Sequence, residues 1–214
     1  WLLIETEGVY LGRRMVIWLY DVYANRYDNI KGYEEEYERH LVAKPIMVRI
    51  TPHKNPMVLD VATGTGRLPL ALLEHPHFQG RIIGLDLSRK MVTKASEKLN
   101  DYGKRVSLIW GPAEALPFPD ESFDVVTCLE ALEFMINRQA VLKELIRVLR
   151  PGGQLLLSNR INTRWMPGKT WTNEQLFKQL DNLHMENIES EPWQIDYQKI
   201  WATKAGISQP VSAR

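Results

Sequence analysis

The sequence predicts an α/β protein: a doubly wound, mostly parallel sheet of seven strands with helices on both faces, preceded by a separate helical segment. Three observations carry this. Five short runs are almost continuously apolar, which is how strands buried on both faces of a parallel sheet read. Longer stretches of helical periodicity separate those runs, and such alternation builds right-handed βαβ units. A glycine-rich turn, TGTG at 63–66, directly follows the first run, and in open α/β sheets ligands gather beyond the carboxyl ends of the strands.

The strand candidates are MVLDVA (57–62), RIIGLD (81–86), RVSLIW (105–110), DVVTCL (124–129) and QLLLS (154–158), with two more at 186–191 and 197–204. Between them Ser88 caps a helix through Leu99, with Gly103 past its end. Val141, Leu142, Leu145, Ile146, Val148 and Leu149 form one stripe of a helix over 137–149, stopped by Pro151-Gly152-Gly153. Thr172 precedes Glu174 at the start of a helix carrying Leu176, Phe177 and Leu180. Residues 1–55 read differently from 56–214. Met15, Trp18, Leu19, Val22, Tyr23 and Tyr27 follow helical spacing, and a second helix is expected from about Gly32 through the acidic stretch Glu34–Glu36.

Bulk properties narrow the function. The chain has 214 residues, enough for one domain with an appendage, and Lys+Arg 27 against Asp+Glu 26 leave a net charge of +1. No global field attracts nucleic acid or anionic membrane. The single cysteine, Cys128, rules out an internal disulfide framework and a multi-cysteine zinc site, and a reducing, cytoplasmic setting is expected. The apolar run Met15–Tyr20 is far too short to span a bilayer, and Glu5 and Glu7 argue against a signal peptide. His75 and His77 sit at a turn without partners, so no metal site is expected.

Gly64 and Gly66 permit close approach of backbone to a ligand at a strand-to-helix turn. A phosphate-cradling G-x-x-x-x-G-K-[ST] is excluded, because no Lys-Ser or Lys-Thr follows. A dinucleotide loop needs a third glycine where Pro69 stands. An adenosine-containing ligand without a phosphate at this turn remains, as does an empty turn. Asp86, 20 residues past Gly66, suits ribose hydroxyls under either a dinucleotide or an adenosine reading.

LDVATGTGR (59–67), GLDLS (84–88), AEALPFPDESFDVV (113–126) and RVLRPGG (147–153) occur in that order. In these motifs the chain resembles the class I S-adenosylmethionine-dependent methyltransferases, in particular their small-molecule branch, over roughly 55–160. YANRYD (23–28) is similar to the helix that closes over the cofactor in quinone-modifying C-methyltransferases. The resemblance implies a Rossmann-like fold with residues 1–55 as a helical lid, S-adenosyl-L-methionine as cofactor and S-adenosyl-L-homocysteine as product. It implies that Asp60 and the loop Ala62, Thr63, Gly64 and Gly66 meet the methionine portion, and that Asp86 holds the ribose with Leu87 on adenine. Ala113 and Glu114 would lie at the adenine edge, Leu129 near the methionine amine, and Tyr27 would touch the cofactor from the lid. Pro112 departs from the family, which often has an Asp there, and Phe134 stands where many relatives have His.

Methyl transfer from a sulfonium requires alignment above all. Glu130 and Glu133, just past the fourth strand, are the candidate bases for an acceptor that must lose a proton. Arg160 is placed to bind an anionic acceptor or to form a surface salt bridge. Trp18, Tyr20, Tyr23, Tyr27, Trp165, Met166 and Trp171 suggest an apolar pocket for a small-molecule acceptor, such as a quinone precursor, phenolic or lipid-like compound. A nucleic-acid acceptor is not expected; peripheral membrane contact, and a monomer or homodimer, are compatible with the amphipathic N-terminal helix. A NAD(P)-dependent oxidoreductase and a non-catalytic cofactor-binding module are the competing classes.

Overall fold

The computed structural model describes residues 9–30, 35–50, 55–161 and 166–206. Its seven strands are β1 (Met57–Val61), β2 (Arg81–Asp86), β3 (Val106–Trp110), β4 (Phe123–Cys128), β5 (Leu149–Arg160), β6 (Met185–Gln194) and β7 (Tyr197–Lys204). They form one sheet in the order β3-β2-β1-β4-β5-β7-β6. β1 to β5 are parallel, and β7 enters antiparallel between β5 and β6. The order reverses at β1, whose neighbours β2 and β4 are reached by crossovers in opposite directions, which opens a crevice above its carboxyl end.

The helices are α1 (Arg13–Tyr23), α2 (Tyr27–Ile30), α3 (Glu35–Glu38), α4 (Lys44–Ile50), α5 (Arg67–Leu73), α6 (Arg89–Leu99), α7 (Arg138–Val148) and α8 (Asn173–Asn182). Two apolar layers cover the sheet. Leu59, Val61, Val126 and Leu155 face Val141, Leu145, Leu176 and Leu180 of α7 and α8. Val58, Ile82, Val125 and Leu156 face Leu72 of α5, Leu99 of α6 and Ile46 and Ile50 of α4. The alternation of neighbours such as Val125 and Val126 between layers follows from the two-residue period of a strand. Helices therefore cover both faces, as the sequence predicts.

The helix starts are built as their sequences dictate. Ser88 Oγ accepts from Met91 N at 3.1 Å, and Asn137 Oδ1 accepts from Ala140 N at 3.0 Å. At α8 the reciprocal capping partner of Thr172 is Gln175 rather than the neighbouring Glu174. The Pro151-Gly152-Gly153 turn bulges out of β5: Leu149 pairs with Phe123, and pairing resumes at Gln154 opposite Val125.

The N-terminal segment departs from a single amphipathic helix. α1 ends at Tyr23, a tight 3-10 turn over Ala24–Arg26 redirects the chain, and α2 begins at Tyr27. From α3 to α4 the helix continues through a π-helical stretch, Arg39–Ala43. Val42, Ala43, Ile46 and Ile50 are fully or almost fully buried and share the apolar layer of α5 and α6. Gly32 and Glu34, where this helix was expected to open, lie outside the described residues, as does Trp165. Among the described residues no helix is long and apolar enough to cross a membrane.

Candidate functional site

The loop after β1 is shaped by positive φ at Ala62 (60°), Gly64 (55°) and Gly66 (79°). The two glycines serve different ends. A Cβ on Gly66 would lie 2.9 Å from Leu99 Cδ1 and 3.2 Å from Ala95 Cβ, so this glycine lets α5 start hard against α6. A Cβ on Gly64 would meet only Tyr27 Cε1, at 3.9 Å, across open space. Thr63 docks on the neighbouring strand, its amide donating to Leu85 O at 3.1 Å. Gly84 makes that possible, since a Cβ there would stand 2.9 Å from the Thr63 hydroxyl.

Asp60 is buried on β1, where its carboxylate accepts the hydroxyls of Thr63 (2.7 Å) and Thr127 (2.6 Å). Burial raises its pKa to about 6 against those two hydrogen bonds. Asp86 ends β2 with its carboxylate accepting the amides of Gly64 and Ser88, each at 2.8 Å. Burial pushes its pKa up while the amides pull it down. Two amides fix the plane of this carboxylate and leave lone pairs for hydroxyl donors.

The N-terminal segment is fastened over this loop by contacts that sequence reading missed. Asp21 on α1 accepts the Ser88 hydroxyl and, at 3.4 Å, the Lys90 amide, at the N-terminus of α6. Asp28 on α2 accepts the Thr65 hydroxyl at 2.5 Å and pairs with Lys98 Nζ at 2.6 Å. Arg13 donates to Glu114 at 3.1 Å. Asp28 belongs to the YANRYD run, so its signal was present; Asp21 and Arg13 carried none beyond lying on an amphipathic helix.

Beneath the N-terminal segment runs a cleft of about 800 Å³, partly open to solvent. Gly64, Asp86, Leu87, Ala113 and Glu114 line it together with an apolar set, Val16, Ile17, Tyr20, Phe134, Met135 and Ile136. A second chamber of about 450 Å³ is lined by Glu38, Asp60, Thr63, Arg67 and Trp193. Tyr27, Ala62, Gly64, Leu129 and Glu130 line both. The expected donor-site residues are thereby brought together, with Gly66 set apart by its packing role.

The acceptor-side expectations need correction. Of the described members of the aromatic set, only Tyr20 and Tyr27 line the cleft, their rings 5.9 Å apart. Trp18 is 56% exposed and Tyr23 38% exposed on the outer face of α1, Met166 is fully buried, and Trp171 stacks under Arg138 at 4.7 Å. Glu130 lines the cleft at a left-handed φ of 50°, its amide donating to Ser158 Oγ at 2.5 Å and its carboxylate accepting from Gln194 at 3.0 Å. Glu133 turns the other way, buried beneath the turn, where its carboxylate accepts the Tyr197 hydroxyl. Arg160 is largely buried rather than at the surface, 3.8 Å from Asp196. Cys128 is fully buried, and burial pushes its thiol well above the ordinary range.

Comparison with known proteins follows this geometry. The family described as a methyltransferase domain matches residues 59–157. A ubiquinone/menaquinone biosynthesis C-methyltransferase of Geotalea daltonii is 33% identical over 146 residues, 65% of this chain and 60% of that protein. A demethylmenaquinone methyltransferase of Anoxybacillus flavithermus is 38% identical over 122 residues, 56% of this chain and 52% of that one. The chain thus spans little more than half the length of these curated relatives. Among solved structures, the [4+2]-cyclase SpnF superposes with a TM-score of 0.75 at 18% identity, covering 91% of this chain and 97% of that one, a likeness of fold alone.

Proposed function

With residues 59–157 belonging to the methyltransferase-domain family, we propose that the chain transfers a methyl group from S-adenosyl-L-methionine to a small, partly hydrophobic acceptor, releasing S-adenosyl-L-homocysteine. The observation that carries this reading is the Asp86 carboxylate, clamped by the Gly64 and Ser88 amides at the floor of the cleft. A carboxylate so held is preorganised to accept both hydroxyls of a ribose, with Leu87, Ala113 and Glu114 around the base. Ala62, Gly64 and Leu129 lead from there toward the chamber of Asp60 and Thr63, which takes the amino-acid end. Tyr27 closes over the junction between the two, where the sulfonium belongs.

The bound donor supplies an already activated methyl carbon. What remains for the protein is to exclude water and hold the acceptor in line, within contact distance of that carbon. The apolar part of the cleft lining gives the acceptor its class, and the quinone-directed names of the relatives agree with an aromatic, largely uncharged body. Glu130, facing the cleft on a strained backbone, is assigned to orient the acceptor and take its proton where one must leave. Glu133 has no such role, because Tyr197 occupies it.

Calorimetric titration with S-adenosylhomocysteine and, separately, with NADH tests the donor. Binding of the first alone is expected. Asp86→Ala should weaken it by about 1.5–3 kcal/mol, the worth of hydrogen bonds to a charged group. Binding of NADH alone would reinstate the oxidoreductase reading, and unchanged affinity in folded Asp86→Ala would remove the ribose assignment. Transfer of labelled methyl to a phenolic or quinol acceptor then separates an enzyme from a binding module.

A further inference from the structure

A third, small chamber, partly open to solvent, lies behind the Leu132–Phe134 turn. Ala131 and Phe134 of this region line the main cleft, whereas Leu132 and Glu133 line the chamber. Its other walls carry Arg138, Asn159, Arg160, Lys169 and Trp171.

Both arginines are underused. Arg138 Nη2 donates to Gly168 O at 3.3 Å, but its Nη1 is buried with no hydrogen-bond partner. Arg160 Nη1 lies 3.6 Å from Met166 Sδ and its Nη2 3.8 Å from Asp196, while its buried Nε has no partner. Leaving buried guanidinium N–H groups without acceptors is costly, and one chamber collects two of them. Burial also holds the Arg138 guanidinium below its usual range, opposed by Glu133.

The charges do not balance. Arg138, Arg160 and Lys169 face Glu133, which already accepts from Tyr197, and Asp196 at the edge of Arg160. Among the described residues, three cations against two carboxylates leave one positive charge over. A water molecule would leave that excess standing, and a dianion would reverse it. A single carboxylate satisfies both N–H groups and neutralises the site, and planar oxyanions match the guanidinium fork.

We infer that this chamber is a binding site for one small carboxylate group, held by Arg138 Nη1 and Arg160 Nε with Lys169 completing the charge. The site is distinct from the methyl-donor cleft, and only its assignment to an acceptor rests on the methyl-transfer reading. The carboxylate belongs either to a free small acid or to an acceptor whose body lies against the apolar part of the cleft lining.

The test follows the arginine Nε–Hε resonances of isotopically labelled, full-length protein during titration with sodium acetate, and with sodium chloride at matched ionic strength. Saturable shifts of the Arg138 and Arg160 signals with acetate alone are expected. Arg138→Met and Arg160→Met should each weaken the acetate response by about tenfold, the loss of one charge-assisted contact. A non-saturating response, or an equal one to chloride, overturns the site even if a variant fails to fold. Octanoate binding at least tenfold more tightly than acetate, as burial of about two of its added methylenes would already give, assigns the carboxylate to the acceptor; equal affinities assign it to a free acid. S-adenosylhomocysteine is titrated in the same samples, so failure of the donor reading and failure of this site are separately visible.

Discussion

Asp28 of α2 and Thr65 of the glycine loop are joined by a 2.5 Å hydrogen bond, and the same carboxylate pairs with Lys98 at 2.6 Å. The N-terminal segment, the proposed lid, is therefore tied to the glycine loop by charge as well as by packing. Both partners of the ion pair remain partly exposed, so it contributes modestly, about 0.5–1 kcal/mol. Asp28→Asn should release S-adenosylhomocysteine several-fold faster with little change in association, read by stopped-flow displacement. An unchanged dissociation rate would mean the lid does not gate the donor.

Gly64 and Gly66 should separate experimentally. Gly66→Ala places a methyl against Leu99 and Ala95 at a φ of 79°, and overpacking of that kind costs about 1–3 kcal/mol of stability. Gly64→Val finds open space toward Tyr27 and the cleft, its cost being the strain of a β-branched residue at a φ of 55° rather than a clash. The expected outcome is a lower melting temperature for Gly66→Ala, and for Gly64→Val a folded protein that no longer binds S-adenosylhomocysteine. Reversal of the two phenotypes would refute the division of labour.

Asp60 predicts a pH effect on folding. Its native pKa, about 6, lies above the value of roughly 3.9 expected in an unfolded chain. Between those values the native state holds a proton that the unfolded chain has released. This contribution is therefore fully present below about pH 4, lost as pH rises through 6, and flat above, with a ceiling of about 3 kcal/mol. Urea melts at several pH values should show the wild-type stability falling relative to Asp60→Asn across that window. Parallel profiles would contradict it.

Glu130 and Glu133 sit three residues apart and face opposite ways. Once an acceptor that must lose a proton is identified, Glu130→Gln should lower kcat by about 10²–10⁴-fold, with the affinity for S-adenosylhomocysteine unchanged. Glu133→Gln should leave kcat nearly intact and lower the melting temperature, because the buried Tyr197 hydroxyl loses its charged acceptor. Equal losses of turnover would reject the assignment.

The sheet and donor loop were legible because their constraints are local: continuous apolar runs, caps and two glycines. The distant runs that carried the resemblance also meet in space. Arg147 of RVLRPGG donates to Leu116 O, Phe118 O and Asp120 of the AEALPFPDESFD run, at 3.1, 2.8 and 2.7 Å. That pairing is structural, which is why it specified fold and donor and said little of the acceptor. The acceptor side was misread because aromatic residues on an amphipathic helix do not announce which face is inward. Trp18 points out; Val16 and Ile17 line the cleft. Glu133 was misassigned because its direction depends on Tyr197, far along the chain on β7.

One helix, α1, supplies both the Asp21 contact to Ser88 and the Val16, Ile17 and Tyr20 part of the apolar lining. On the proposed reading one helix bounds both substrates, and its seating on the donor side builds the enclosure for the acceptor. Turnover should follow a compulsory order, donor on first and spent donor off last. The spent donor would then compete with fresh donor but not with acceptor in steady-state inhibition.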